Sequence, residues 1–282
     1  MVFIAGLTGD WVIKNGIHTR NEALADQRAA DTWNTLVEQH GEVFTAAATD
    51  KNNPFGKYPE WIFTHIEEGS SILDAGCGYG RIAIPILEKH SKTKIIGVDA
   101  SQNMLNRFHV ELEKRSLSER CRLVNDNLYP LPLDDSSVDC VVTCAVLLHN
   151  PYRDVRKILD EFFRVLKPGG KIIVISAFVN ALTLDGIQNR LYVALKSESN
   201  GPVHPYTKWG CLSALVKFED VQLFAHQLIL LPRRFLKFNL PFQGLIRRCN
   251  IATRNWNLTW WLRLGLFVQH FDVVARKAKE DD

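Results

Sequence analysis

Ile72-Leu-Asp-Ala-Gly-Cys-Gly-Tyr-Gly-Arg81, or ILDAGCGYGR, is the stretch from which the fold is read. An apolar run opens it, and Gly76, Gly78 and Gly80 follow at alternate positions. Such a pattern reads as a buried strand that runs into a turn whose backbone lies close to a ligand. Extended to Ala83, it also contains Gly78-x-Gly80-x-x-Ala83, the spacing of a dinucleotide-binding turn. Asp99 stands near the ~20-residue offset of a ribose-binding carboxylate. The letters therefore admit two ligands, a dinucleotide or a molecule that shares only its nucleoside.

Outward from this turn, strands and helices alternate. Strands are expected at Ser71–Ala75, Lys94–Val98, Cys121–Asn125, Val138–Cys144 and Lys171–Ala177. Helices are expected at Tyr79–Lys89, at Ser101–Lys114 with Ser101 as N-cap, and at Tyr152–Leu166, stopped by Lys167-Pro-Gly-Gly170. This rhythm predicts an α/β, Rossmann-like doubly wound sheet. Before it, residues 22–47 read as an amphipathic helix, and Tyr58-Pro-Glu-Trp61 opens a short one. After it, a helix is expected over Leu184–Leu195 and another from a Thr207 cap to about Val216. Strands follow at Val221–Leu231 and Phe267–Ala275. The domain reading is a helical N-terminal lid over 1–57, a core over 58–178, a substrate-cover insertion over 179–210, and a C-terminal part over 211–282.

Register separates the two ligands. A pyrophosphate sits on bare backbone N–H groups at a helix N-terminus. Here the strand ends in Asp74, two residues before the first glycine, and a carboxylate there repels phosphate. It suits a cationic ligand without phosphate. S-adenosyl-L-methionine has an adenosine, an α-ammonium and a sulfonium, and it meets that requirement. A nicotinamide-dependent oxidoreductase is the competing reading, rejected on Asp74. Asp74 as a plain cap of the following turn is the structural alternative.

The set of motifs resembles the class I S-adenosylmethionine-dependent methyltransferases, of the small-molecule type. ILDAGCGYGR resembles their first motif, and Ile95-Ile-Gly-Val-Asp-Ala-Ser101 followed by Met104 their second. Asn125-Asp126-Asn127 with Leu131–Asp139 resembles the third. Val141–His149 and Arg164-Val-Leu-Lys-Pro-Gly-Gly170 complete the order. The resemblance implies a seven-stranded sheet with the last strand antiparallel. It also implies cofactor contacts from Asp74, Gly76, Cys77, Gly78 and Gly80. Asp99 would accept the ribose hydroxyls, and Ala100, Ser101 and Met104 would flank the adenine. Asp126 would accept from the exocyclic amine, with Asn127 or Leu128 supplying a backbone N–H. Cys144 would border the methionine moiety. Between Asn127 and Leu131 the chain is one residue longer than the usual pattern.

Methyl transfer from a sulfonium needs alignment first, and a general base only for some acceptors. His149, after the central strand, is the first candidate base, because histidine titrates near working pH. His204 and Tyr206, in GPVHPYT, fall where this family builds its substrate cover. A hydrogen-bonded loop histidine is the alternative for His149. A non-catalytic subunit on the same fold is the alternative for the whole chain.

Between Val221 and Phe271 there is no Asp or Glu, while Arg233, Arg234, Lys237, Arg247, Arg248, Arg254 and Arg263 alternate with Phe and Trp. This basic-aromatic insertion, 233–265, is what an interfacial segment uses on anionic lipid. It reads either as such a contact or as a solvated helical excursion. The expected acceptor is a small molecule, apolar or lipid-like. The 282 residues carry a net charge of only +3, too small to argue for nucleic acid. Six cysteines without a C-x-x-C and nine scattered histidines give no metal-ligand spacing. With no basic leader and no long apolar run, a cytoplasmic protein, peripheral at a membrane at most, is expected.

Overall fold

The computed structural model describes residues 6–20, 27, 30–39, 61–179, 181–182, 186–187, 190–191, 203–228 and 268–279. The chain divides into two compact units: Met1–Cys144 with Lys157–Ile173 and Arg276–Asp282, and Ala145–Arg156 with Val174–Ala275.

In the first unit the strands are β1 (Trp11–Lys14), β2 (Ile17–Arg20), β3 (Ser71–Ala75), β4 (Lys94–Asp99), β5 (Cys121–Asn125), β6 (Val138–Cys144) and the first half of β7 (Leu166–Val179). They lie in the order β1-β2-β5-β4-β3-β6-β7. From β2 to β6 the ladder is parallel. Its central strands are buried on both faces, so β3 reads SILDA with every residue covered. Helix α1 covers residues 30–39. The others are α2 (Trp61–Thr64), α3 (Ala83–Lys89), α4 (Gln102–Lys114) and α5 (Tyr152–Val165). Ser101 Oγ accepts the Met104 amide at 3.2 Å, the expected N-cap of α4.

The helix expected from Tyr79 begins only at Ala83. Gly80, at φ +86°, lies in the left-handed region and breaks a helix begun earlier. A Cβ on it would stand 2.2 Å from the Phe108 ring. Further expectations are corrected. Among the described residues the strands number nine, not seven, because residues 11–20 form an antiparallel hairpin that joins β5. Within the expected helical lid 1–57, residues 11–20 are therefore this hairpin and residues 30–39 a helix. Asn15 and Gly16 both have positive φ, 49° and 75°, the turn that an Asn-Gly pair favours between two strands. Likewise Lys167-Pro-Gly-Gly170 does not precede the strand but opens it: Gly169 N donates to Lys277 O, and Lys277 N donates to Gly170 O.

In the second unit the latter half of β7 is followed in space by β9 (Val268–Arg276) and then β8 (Glu219–Leu228). Residue numbers rise along β7 as they fall along β9, from Gly170 beside Lys277 to Ser176 beside Asp272, so β9 is antiparallel to β7. Asp272 is fully buried and its carboxylate accepts the Ser176 amide at 2.6 Å. Helix α6 (Lys208–Ala214) starts where expected, with Thr207 Oγ1 accepting the Gly210 amide. The expected helix 184–195 lies largely outside the described residues, and the basic-aromatic insertion 233–265 lies wholly outside them.

Candidate functional site

Four strand ends of the first unit converge on one site. The turn after β3 is pinned to β4, since Gly76 N and Cys77 N both donate to Val98 O, at 2.8 and 3.1 Å. The Cys77 side chain is buried against Gly97, where a Cβ would lie 2.9 Å from its Sγ. Gly78, at φ +54°, would carry a Cβ with no heavy atom within 4 Å, so the turn offers bare backbone to a ligand. Its N–H donates to Asp99 Oδ2, and Ser101 N donates to Asp99 Oδ1, both at 2.8 Å. Each Asp99 oxygen thus keeps lone-pair capacity for a vicinal diol. Burial raises the Asp99 pKa, and those two amides oppose the rise.

Asp74 is 2% exposed. Its carboxylate accepts the Ala83 amide, yet Oδ2 is buried with no hydrogen-bond partner. Burial first, and the neighbouring Asp99 second, push its pKa up to about 7. Asp74 therefore both caps α3 and keeps an unsatisfied acceptor for a cation. An orphaned buried carboxylate, a glycine cradle and a diol-ready carboxylate fit S-adenosyl-L-methionine, and the first of these does not fit a pyrophosphate.

The remaining expected contacts lie in the same unit. Ala100 is half-buried, and Ser101 and Met104 are buried at the start of α4. Asn125 Nδ2 donates to the carbonyls of Asp99 and Ala100, fixing that turn. Asp126 and Asn127 are buried, and Leu128 is half-buried. Cys144 is half-buried and accepts from Arg81 Nη2.

Sequence reasoning missed three residues here. Arg81 stands inside the quoted motif and lies close enough to Asp74 to oppose the rise in its pKa. Arg20 is ion-paired to Asp126, and Asn34 accepts from Ser101 Oγ. The Asn-Gly pair signals the hairpin that carries Arg20 but not its pairing with Asp126, and Asn34 carried no signal.

The second unit brings the three catalytic candidates onto one short piece of structure. His149 ends a 3-10 turn, Leu147–His149, and is half-buried. His204 N donates to Leu148 O at 2.7 Å. Tyr206 N donates to Val179 O, and Tyr206 Oη donates to Asn150 O at 3.3 Å. Burial lowers the His204 pKa, with Asp154 opposing, so the imidazole is neutral near pH 7 and able to accept a proton. Burial raises the Tyr206 pKa, so its phenol is a donor rather than a base. His204 and Tyr206 line a cavity of about 380 Å³ with Tyr152, Arg190, Thr207 and Gly210. Among the described residues no cluster of His, Cys, Asp and Glu is arranged to hold a metal ion.

Residues 72–170 match the family described as "Methyltransferase domain". The chain is 25% identical over 198 residues to 24-methylenesterol C-methyltransferase 2 of Oryza sativa subsp. japonica, covering 70% of this chain and 47% of that protein. It is 33% identical over 133 residues to the demethylmenaquinone methyltransferase of Oceanobacillus iheyensis, covering 47% of this chain and 54% of that one. The matches thus span about half the length of these two relatives. The fold is that of the geranyl diphosphate C-methyltransferase of Streptomyces coelicolor, solved with S-adenosyl-L-homocysteine: TM-score 0.59, 15% identity, 91% of this chain and 100% of that one. These findings set aside the oxidoreductase reading. Residues 72–170 form a methyltransferase domain of the S-adenosyl-L-methionine-dependent class, with S-adenosyl-L-methionine as its cofactor.

Proposed function

We propose that the whole chain is a methyltransferase that moves a methyl group to a small, apolar or lipid-like acceptor by in-line displacement. The observation that carries this reading is the buried Asp74 carboxylate with its unsatisfied Oδ2, beside the cradle at Gly78. The named relatives, which act on sterols and demethylmenaquinone, support the acceptor class. S-adenosyl-L-methionine supplies an electrophilic methyl on a sulfonium when bound. Asp74 balances the ligand's positive charge, Asp99 accepts the ribose hydroxyls, and the backbone at Gly78 sets the depth of binding. Holding reactants in line contributes ~7–11 kcal/mol to such a reaction. His204, neutral and half-buried, and His149 are the proton acceptors for an acceptor that must lose one. Tyr206 orients the segment around Asn150.

Calorimetric titration with S-adenosyl-L-methionine and with NAD is the first test, and only the former is expected to bind. Incubation with methyl-labelled cofactor and a lipid extract then identifies the product. Binding without any transfer would favour a non-catalytic subunit.

A second reading concerns a peripheral membrane contact through 233–265. It is supported by that segment's basic-aromatic composition and by Trp209 and Val216 of the second unit, 78% and 71% exposed. Glu219 and Asp220 are exposed nearby and oppose binding to anionic lipid. Co-sedimentation with phosphatidylserine vesicles at low salt is expected, and its absence would remove the contact.

A further inference from the structure

We propose that the N-terminal strap, hairpin β1–β2 with α1, holds the nucleoside side of the cofactor site, and that Arg20 is a positioning residue acting through Asp126. The inference rests on the cofactor reading above. Asp126 follows β5 directly, and its amide donates to Asp99 O at 3.2 Å, so the two acidic residues stand side by side at adjacent strand ends. The Asp126 side chain is 5% exposed. Oδ1 accepts the Asn127 amide at 2.8 Å, and Oδ2 accepts Arg20 Nε at 2.5 Å.

Strand register makes this pairing. Thr19 lies opposite Asn125 in the β2–β5 ladder, which carries the next residue of each strand, Arg20 and Asp126, to the same level. Across the hairpin Trp11 is paired with Arg20, and the guanidinium sits 5.1 Å from the Trp11 ring centroid. Arg20 is thus fixed by an aromatic face and a buried carboxylate together.

A second part of the strap reaches the same place independently. Asn34 on α1 accepts from Ser101 Oγ at 2.7 Å and from Asn103 N at 3.2 Å, and Glu38 accepts from Asn103 Nδ2 at 3.1 Å. The strap therefore grips both backbone turns that border the nucleoside, the one after Asp99 and the one at Asp126.

The consequence is chemical. A carboxylate with one oxygen held by an amide and the other by a guanidinium is fixed in direction. Its remaining lone pairs accept from an amine donor, and they repel a carbonyl. Without Arg20 the buried carboxylate loses the guanidinium that anchors Oδ2, and it is free to turn. It then no longer distinguishes donor from acceptor on the base.

The test compares binding of S-adenosylhomocysteine with that of S-inosylhomocysteine, in which the amine is replaced by a carbonyl. The wild-type chain is expected to favour the amine at least tenfold. Arg20→Ala is expected to bind S-adenosylhomocysteine about tenfold more weakly and to discriminate less than threefold, and Arg20→Lys to restore most of both. In an Asp126→Asn background, Arg20→Ala should change nothing further. Asn34→Ala, which leaves the ion pair intact, should weaken both ligands severalfold and keep the discrimination. Unchanged affinity and discrimination in Arg20→Ala would overturn the proposal. So would an equal loss for both ligands that Arg20→Lys does not rescue. A wild-type chain that binds neither ligand would overturn the cofactor reading itself.

Discussion

In the first unit, Asp74, Gly78, Asp99 and Asp126 come from the ends of strands that neighbour one another in the sheet, each inside a short motif. In the second, His149, His204 and Tyr206 come from segments far apart in sequence, joined by backbone hydrogen bonds such as His204 N to Leu148 O. One end is set by ladder register, with most of its polar atoms engaged. The other is set by loops crossing over a cavity. Regions of the first kind hold an invariant ligand, and regions of the second kind vary with the substrate. The two therefore ought to separate experimentally, with cofactor affinity residing in the first unit and acceptor turnover in the second.

The largest effect expected is that of Asp74→Asn, at least a hundredfold loss of cofactor affinity by calorimetry, since a buried charge partner is removed. Its pH dependence sharpens the assignment. With a pKa of about 7, Asp74 is increasingly protonated below neutrality, so wild-type affinity should fall up to tenfold per unit below pH 7 and level off above it. Asp74→Asn should flatten that profile. In the absence of cofactor the same shift has the opposite effect on stability. A raised carboxylate pKa means that the ionised form is disfavoured in the folded state, so thermal stability should decline from about pH 4 to pH 7. Asp272, also raised to about 7 by burial, adds to this decline.

His149→Ala and His204→Ala come next. Loss of a general base typically lowers turnover about a hundredfold, and cofactor affinity should stay within twofold. A large change in that affinity would break the division between the two regions. Gly80→Ala should destabilise the first unit by about 2–3 kcal/mol in urea denaturation, from a left-handed φ and a clash with Phe108. The smallest effect is that of Tyr206→Phe, which removes the hydrogen bond to Asn150 O, about 1 kcal/mol of stability with little change in turnover.

The parallel core was legible because its strands are continuous apolar runs bounded by turn residues. Cys121–Asn125 and Val138–Cys144 begin and end as expected. Asp74 was legible for a chemical reason, its charge at a place where phosphate would otherwise sit. The hairpin went unread because Trp11–Lys14 and Ile17–Arg20 are short and only partly buried, so periodicity is weak and the Asn-Gly turn is the whole signal. Arg20 and Asn34 act on Asp126 and Ser101 across about seventy to a hundred residues, through pairings that local pattern cannot convey. Tyr206 was singled out because GPVHPYT falls where the resembled family builds its substrate cover; that its hydroxyl donates to the Asn150 carbonyl is a matter of packing that the letters do not contain.

The position of β9 between β7 and β8 bears on how the protein is made. β7 ends at Val179 and β9 begins only at Val268. At ~5–20 residues per second, a ribosome needs about 4–18 s to supply the missing strand. Until then β7 and β8 lack the strand that joins them, and each presents an edge open to pairing with another chain. The nascent protein is therefore most exposed to misassembly between the synthesis of β7 and that of β9, and a chaperone would be most useful during those seconds.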